Sequence, residues 1–390
     1  MRRPHLSYGL VAVCLLCAAC AQKAPVLAEE KDAKTEAAPK LPFTLDPNRE
    51  PDDLARFLAG VPAREGSGFA DLHNTPEWQS HARESDRIWA AFESKRLPAL
   101  RDFAHDELDR FHAADPPVFY PFGGPDSLTA TVFFPNHSTY ILVGLEPPGT
   151  LIEAKRFKPE ELADKLGQIR STLDSLLARS FFITRQMDQE LRGQVTDGLL
   201  LPILVQLVRN GAAIRAVEYV TIDENGEAVP RPAPADSKTK NRGVIVEFET
   251  ADHTVHQLDY FSVNLDDNHL AQNPQFFQWL NKGAATVTFF KSTSYMVHQK
   301  QFSRIRQQVL DHSVAVLQDD SGIPLHFFTE KNWNVQLYGE YQKPYGSFRY
   351  LVQPDLVKAY KEGTDVKTLP FRIGYGFGKA PSNLQLATPR

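Results

Sequence analysis

Apolar positions recur at helical spacing in the first third of the chain. Trp78, Ala82, Ser85, Trp89 and Phe92 follow one another at steps of four and three, which lays both indoles on one face. Thr75-Pro76-Glu77 in front of them supplies a hydroxyl cap, a proline at the first helical position and an acid at the positive end of the dipole. A second helix is predicted from about Pro98 to His112. Beyond Pro159, the stripe Leu162, Leu166, Ile169, Leu173 and Leu176 predicts a long one. Shorter helices are predicted across Gln186 to Leu191, across Leu199 to Val208, after Asn273-Pro274, across Phe302 to Leu310 and across Pro354 to Lys361.

Strand patterns are interleaved with these. Val118 to Phe122 reads as a short strand, and the turn Gly123-Gly124-Pro125-Asp126 follows it, with Asp126 placed to cap a helical turn over Leu128 to Phe133. Thr139 to Leu145 is apolar on both alternations, as a central strand covered on both faces would be. Arg215 to Ile222, Val244 to Glu249, Thr254 to Leu265, Val314 to Leu317 and the alternating Trp333 to Tyr341 complete the strands. Asp223-Glu224-Asn225-Gly226 reads as a hairpin turn, the insert after it as an exposed loop, and Asp319-Asp320-Ser321-Gly322 as a tight acidic turn. With no strict β–α alternation and no internal repeat, the pattern predicts an α+β class: a mixed, largely antiparallel sheet with packed helices. The body spans 51–390, with a break between two subdomains possible near 225–243.

The first fifty residues follow another logic. Arg2 and Arg3 precede an apolar run from Leu6 to Leu16 of export-signal length, and Ala18-Ala19 stand before Cys20. This has the form of a bacterial lipoprotein signal over 1–19, in which Cys20 receives a diacylglycerol and becomes the new N-terminus; an ordinary secretory peptide cut after Ala19 or Ala21 is the alternative. The three cysteines are Cys14, Cys17 and Cys20, so the mature chain would have no disulfide and no thiolate chemistry. Residues 20–50, rich in Ala, Lys, Glu and Pro, read as a disordered tether. Ala21 after the acceptor, instead of Asp, points to the outer membrane, facing the periplasm. The formal net charge is −5 and two units more negative without Arg2 and Arg3, which argues against nucleic acid as a partner. The expected partners are the membrane, through the lipid, and an envelope protein or glycan.

Five short segments together, YPFGGPD (120–126), FFPN (133–136), VGLEP (143–147), DDSGIP (319–324) and IGYGF (373–377), resemble those of an uncharacterised family of exported bacterial proteins. The resemblance covers most of the mature chain and implies a placement in the envelope without a mechanism.

Recognised catalytic patterns do not occur. There is no G-x-S-x-G elbow, and Ser138 beside His137 is no dyad, because neighbours in an extended chain point opposite ways. His253 and His256 enter a strand three residues apart and would face opposite sides, so no metal site is expected. IGYGFG lacks the third glycine, the following helix and the acidic partner of a dinucleotide turn, and no cofactor is expected. The remaining candidates for chemistry are Asp126, His137, Asp319 and Asp320. Paired carboxylates can divide acid and base duties in glycoside cleavage, whereas Asp in turns ordinarily caps backbone amides. Tyr120, Asn136 and Tyr338 are candidate binding residues, the last within an aromatic-rich stretch from Phe327 to Tyr350 that also suits a strand. Two functions follow: an envelope lipoprotein that binds a component or partner, or a carboxylate-dependent hydrolase of envelope glycans. The hydrolase requires Asp126 and the Asp319-Asp320 pair to share a pocket.

Overall fold

The computed structural model describes residues 49–153, 156–179, 197–233, 241–283, 285–341, 343–344, 346–376 and 382–390. The signal, Cys20, most of the tether and the helix expected over 186–191 lie outside the described residues.

The class is α+β. Ten strands among the described residues form one mixed sheet: β1 (Val118–Tyr120), β2 (Thr139–Gly144), β3 (Ala213–Ile222), β4 (Ala228–Pro230), β5 (Arg242–Glu249), β6 (Val255–Ser262), β7 (Thr286–Phe290), β8 (Ser313–Gln318), β9 (Trp333–Gly339) and β10 (Asn383–Pro389). Their order is β4-β3-β5-β6-β2-β1-β7-β8-β10-β9. The flanks are antiparallel, but the middle five strands, β6-β2-β1-β7-β8, are parallel throughout. β3 and β5 pair directly, so the strands on either side of the expected break near 225–243 belong to one sheet; β4 pairs back onto β3.

Parallel strands need helical crossovers on the faces and are therefore covered on both sides. One face carries α1 (Glu50–Leu58), α2 (Pro76–Lys95), α3 (Leu97–Phe103), α4 (Ser127–Phe133), α5 (Pro159–Arg179) and α6 (Leu200–Arg209). The other carries α7 (Asp267–Gln272), α8 (Gln275–Leu280), α9 (Ser303–His312) and α10 (Leu325–Glu330). Strand alternation divides the core between them: Val118, Tyr120, Tyr140 and Leu142 face the first layer, and Phe119, Ile141 and Val143 the second. That is why Thr139 to Leu145 reads as continuously apolar. A last helix, α11 (Pro354–Glu362), packs Leu356 against Leu325 and Leu337. None of the helices among the described residues is long and apolar enough to cross a membrane.

The local signals hold where they are strongest. Thr75 Oγ1 accepts the Trp78 N–H at 3.3 Å and caps α2, and Trp78, Ser85, Trp89 and Phe92 are buried along its inner face. Asp126 Oδ1 accepts the Thr129 N–H at 3.3 Å and caps α4. Asp223 Oδ1 accepts the N–H groups of Asn225 and Glu227 at 2.9 and 2.8 Å and closes the β3–β4 hairpin, with Gly226 at φ 68°. The helix expected from Pro98 to His112 is regular only through Phe103 and then widens into a π turn over Ala104–Leu108. Sequence analysis did not identify α1, β7, β10 or α10, and it placed β4 in an exposed loop.

Asp259 is a carboxyl buried within the sheet. It lies on β6 beside Ile141 of β2 and Ile245 of β5, 1 % exposed, with the Gln257 amide donating to it at 2.8 Å. Burial raises its carboxyl pKa to about 7, and the Gln257 hydrogen bond opposes the shift. Because the folded-state pKa lies above the unfolded one, the folded chain holds the extra proton between them, and stability falls as pH rises from about 4 to about 7. Asp259→Asn removes this contribution. Thermal melts from pH 5 to 8 should show the variant gaining on the wild type as pH rises, by an amount on the order of a few kcal/mol at pH 8.

Candidate functional site

In sequence order the parallel strands are β1, β2, β6, β7 and β8, but in space they run β6-β2-β1-β7-β8. The chain builds outward from β1 on one side, then returns to build on the other. β1 and β7 are therefore neighbours whose continuations leave in opposite directions, α4 into one helical layer and α9 into the other. Departing loops cannot fill the space between them, so a crevice opens at the carboxyl ends of the strands at this reversal.

A cleft of about 140 Å³ occupies that position. Four strand ends line it: Tyr120 and Phe122–Asp126 after β1, Val143–Glu146 at β2, Val263–Leu265 after β6 and Lys291–Ser294 after β7, with Met296 and Phe302 beyond. Its walls are mostly apolar, with a few convergent polar groups, as small-molecule sites are. The β1 turn is glycine for a reason: a Cβ on Gly123 would stand 2.6 Å from the Tyr120 ring, and Gly124 has φ 54°.

The floor is a buried ion pair. The Lys291 ammonium and the Asp126 carboxylate are in direct contact, each side chain 2 % exposed. Tyr120 Oη donates to Asp126 Oδ2 at 3.0 Å, Thr129 Oγ1 donates to Asp126 Oδ1 at 2.8 Å, and Lys291 Nζ donates to Thr129 Oγ1 at 2.9 Å. Burial pulls the Lys291 pKa down, opposed by Asp126; burial, reinforced by the Asp126 charge, pushes the Tyr120 hydroxyl up. The contact with Asp126 and the hydrogen bonds that complete both groups offset part of the cost of burying the ammonium.

The loop after β7 is held from below by the acidic turn after β8. Asp319 Oδ2 accepts the Ser292 N–H at 2.9 Å, while its Oδ1 accepts the Ser321 N–H at 3.0 Å. Thr293 N–H donates to Ser321 Oγ at 2.8 Å. Tyr375 Oη donates to the Ser292 carbonyl and accepts the Ser294 N–H, both at 3.0 Å. Asp320 accepts from Tyr295 Oη at 2.7 Å and from the Asn383 amide at 3.3 Å, tying the turn to β10. Burial raises the pKa of both turn carboxyls, and the neighbouring Asp319 raises that of Asp320 further.

These clamps sustain strained backbone. Phe122 (φ 63°), Ser292 and Ser294 (both φ 53°) and Tyr295 (φ 55°) are left-handed without being glycine, and for bulky residues this is a true outlier. Each costs on the order of 1–3 kcal/mol and persists only where the surroundings over-determine it. Three of the four line the cleft.

The structure brings together some of the residues singled out in the sequence and separates others. Asp126 and Asp319 both act on the loop after β7, one through the Lys291 side chain and the other through the Ser292 backbone, and Tyr120 joins Asp126. However, Asp319 and Asp320 do not line the cleft; their oxygens hold backbone and side-chain donors. His137 and Asn136 lie before β2, at the opposite, amino edge of the sheet, because α4 carries the chain back between two parallel strands. There they line a larger space of about 480 Å³. His137 Nδ1 is 2.8 Å from the Pro116 carbonyl oxygen and its ring is buried, while the Asn136 amide donates to Asp109 at 2.8 Å. Tyr338 is 1 % exposed, with its ring edge-on to Phe103 and its hydroxyl donating to Glu107 at 2.7 Å. It is core. His253 is paired with Glu249 at the surface, whereas His256 is buried against the His137 carbonyl. Lys291, Glu146 and the serines after β7 went unremarked in the sequence, because each depends on recognising β7 or the ends of parallel strands.

Compared with family models, with curated proteins and with solved structures, the chain matches none.

Removing one partner of a buried pair leaves an uncompensated charge. Asp126→Asn and Lys291→Met should each lower the unfolding free energy in urea by about 3–5 kcal/mol. The double variant should lose clearly less than the sum, because neither charge is left alone. Strict additivity would show that the two groups are not coupled.

Proposed function

We propose that this chain is an envelope-anchored binding protein, held to the membrane by lipid on Cys20, whose body takes a small organic ligand in the cleft at the carboxyl edge of the sheet. The observation that carries the reading is the position of the cleft: four parallel strand ends converge where the strand order reverses, the place where open α/β sheets bind ligands. Strained backbone concentrated on its walls supports the same reading.

Hydrolysis by paired carboxylates is less favoured. It needs one protonated and one ionised carboxyl facing the same substrate, whereas Asp126 is committed to Lys291 and the turn carboxylates point into the scaffold. The fold-level argument names a place, and the ligand has to be argued from the groups that line it.

Leu145, 57 % exposed at the cleft rim, offers a variant that spares the core. In thermal-shift measurements against a panel of nucleosides, monosaccharides and amino acids, at least one compound should raise the melting temperature by a few degrees at a hundredfold excess over Kd, where linkage contributes about 2.7 kcal/mol. Leu145→Trp, which crowds the cleft, should abolish the shift. If no compound shifts the wild type, or the Trp variant responds equally, the cleft is not the binding site. For the anchor, metabolic labelling with a clickable fatty acid should mark the wild type and not Cys20→Ala; label on the variant would overturn lipidation at Cys20.

A further inference from the structure

The side chains that reach into the cleft narrow the class of ligand, and this inference rests on the binding reading above. Of the described residues that line it, three carry charge. Asp126 and Lys291 are spent on each other. Glu146 is likewise engaged within the protein, where its Oε2 accepts the Leu145 N–H at 3.2 Å among its interactions. The neutral polar groups are committed in the same way. Both ends of the Asn264 carboxamide are hydrogen-bonded to Asp266, the Thr293 hydroxyl is turned to Ser321, and the Ser294 hydroxyl lies 3.3 Å from Tyr375 Oη. The Ser292 hydroxyl has no partner, but it is sealed from solvent. A charged ligand would therefore shed water and find no counter-charge waiting, which burial makes costly.

What the cleft offers instead is apolar surface. Leu145 is exposed at its rim, and Phe122, Met296 and Phe302 are each half-buried on its walls. Val143, Val263 and Leu265, by contrast, belong to the core behind. The four accessible side chains come from the turn after β1, the end of β2, the loop after β7 and the residue before α9. Two of them are aromatic and set in place. The Phe122 ring stacks on buried Phe290 at 6.5 Å, with 26° between the planes, and meets Phe302 edge-on at 5.7 Å and 79°. It is carried on a residue at φ 63°, where glycine would sit without strain. The turn would form more readily with glycine at 122, so the ring serves the wall. Rings arranged in this way favour a further aromatic ring, stacked or edge-on, and a thioether such as that of Met296 adapts to irregular gaps and is attracted to ring edges. The volume, about 140 Å³, is close to that of an apolar cavity of about 150 Å³ known to take benzene.

We infer that the cleft takes an uncharged compound built on one aromatic ring system, seated between Phe122, Met296 and Phe302 with Leu145 at its mouth. Of the panel compounds above, the nucleosides meet that description through their bases. Benzamide, benzoate and benzamidine share a shape and differ in charge, and cyclohexanecarboxamide keeps the neutral amide without the aromatic ring. The full-length protein in detergent is titrated with these four and with indole by ligand-observed NMR. Each titration is repeated with Leu145→Trp in the same detergent, so that uptake by the micelle cancels in the difference. Benzamide and indole should bind the wild type. Benzoate and benzamidine should each bind at least roughly 10-fold more weakly than benzamide. Cyclohexanecarboxamide should bind roughly 2- to 10-fold more weakly, the worth of an aromatic pair. Phe122→Gly, which removes the ring and relieves the backbone, should weaken benzamide roughly 10-fold in protein shown by its melting temperature to be folded. Tighter binding of benzoate or of benzamidine overturns the exclusion of charge, and equal binding of cyclohexanecarboxamide overturns the aromatic contact. Binding of a panel compound, lost in Leu145→Trp, with neither benzamide nor indole bound, overturns the aromatic ligand and leaves the binding cleft standing. Silence from every compound, panel included, overturns both.

Discussion

A lysine and an aspartate held almost wholly out of water, in contact beneath a cleft, are the constraint on which the centre of this protein depends. Neither charge could be buried alone, since the desolvation cost of either would amount to several kcal/mol. Each is therefore surrounded by groups that leave it no alternative. Asp126 also caps α4 and receives the Tyr120 hydroxyl, and Lys291 reaches Thr129 in the same helix. Through this pair the loop after β7 is tied to the loop after β1, across the point where the sheet reverses direction. The ion pair thus joins the two halves of the parallel core at the edge where their helices pull apart.

The acidic turn after β8 performs the complementary task. Asp319 fixes backbone N–H groups of Ser292 and Ser321, and Asp320 anchors Tyr295 and Asn383. With Tyr375, which accepts the Ser294 N–H, they hold Ser292, Ser294 and Tyr295 in left-handed conformations that the chain would not adopt unaided. A wall built in this way presents fixed polar groups to the cleft with little freedom left to lose on binding, which is the physical content of preorganisation. The three carboxylates that looked in sequence like potential acid–base partners are committed to that architecture. Glu146 also lines the cleft, on a strand end whose apolar run had drawn attention for its burial alone.

Much of the local structure is legible from the chain because it rests on interactions between near neighbours. Thr75 before Pro76, the stripe from Trp78 to Phe92, Asp126 three residues before Thr129 and the Asp223–Gly226 turn each carry their own cause within a few residues. β2 is likewise legible, since only a strand covered on both faces is apolar on both alternations. β7 and β10 are not. The first is five residues, two of them threonine, too short for a period to separate strand from helix. The second mixes Leu384 and Leu386 with Gln385, a polar residue that is fully buried in the structure.

By itself, then, the sequence determined the helices with caps and stripes, the turns closed by their own side chains, the α+β class and the central position of β2. Tertiary structure alone decided that the middle strands are parallel, that β7 inserts beside β1, and so that Asp126 meets Lys291 while His137 lies at the far edge of the sheet. The physical reason is the range of the forces involved. Caps, turns and periodic faces act over three or four residues along the chain, whereas strand order is chosen by burial on two faces at once among segments as distant in sequence as Val118 and Val287. A cleft formed at a reversal of strand order has no local signature, because the residues that line it are neighbours only after the sheet has assembled.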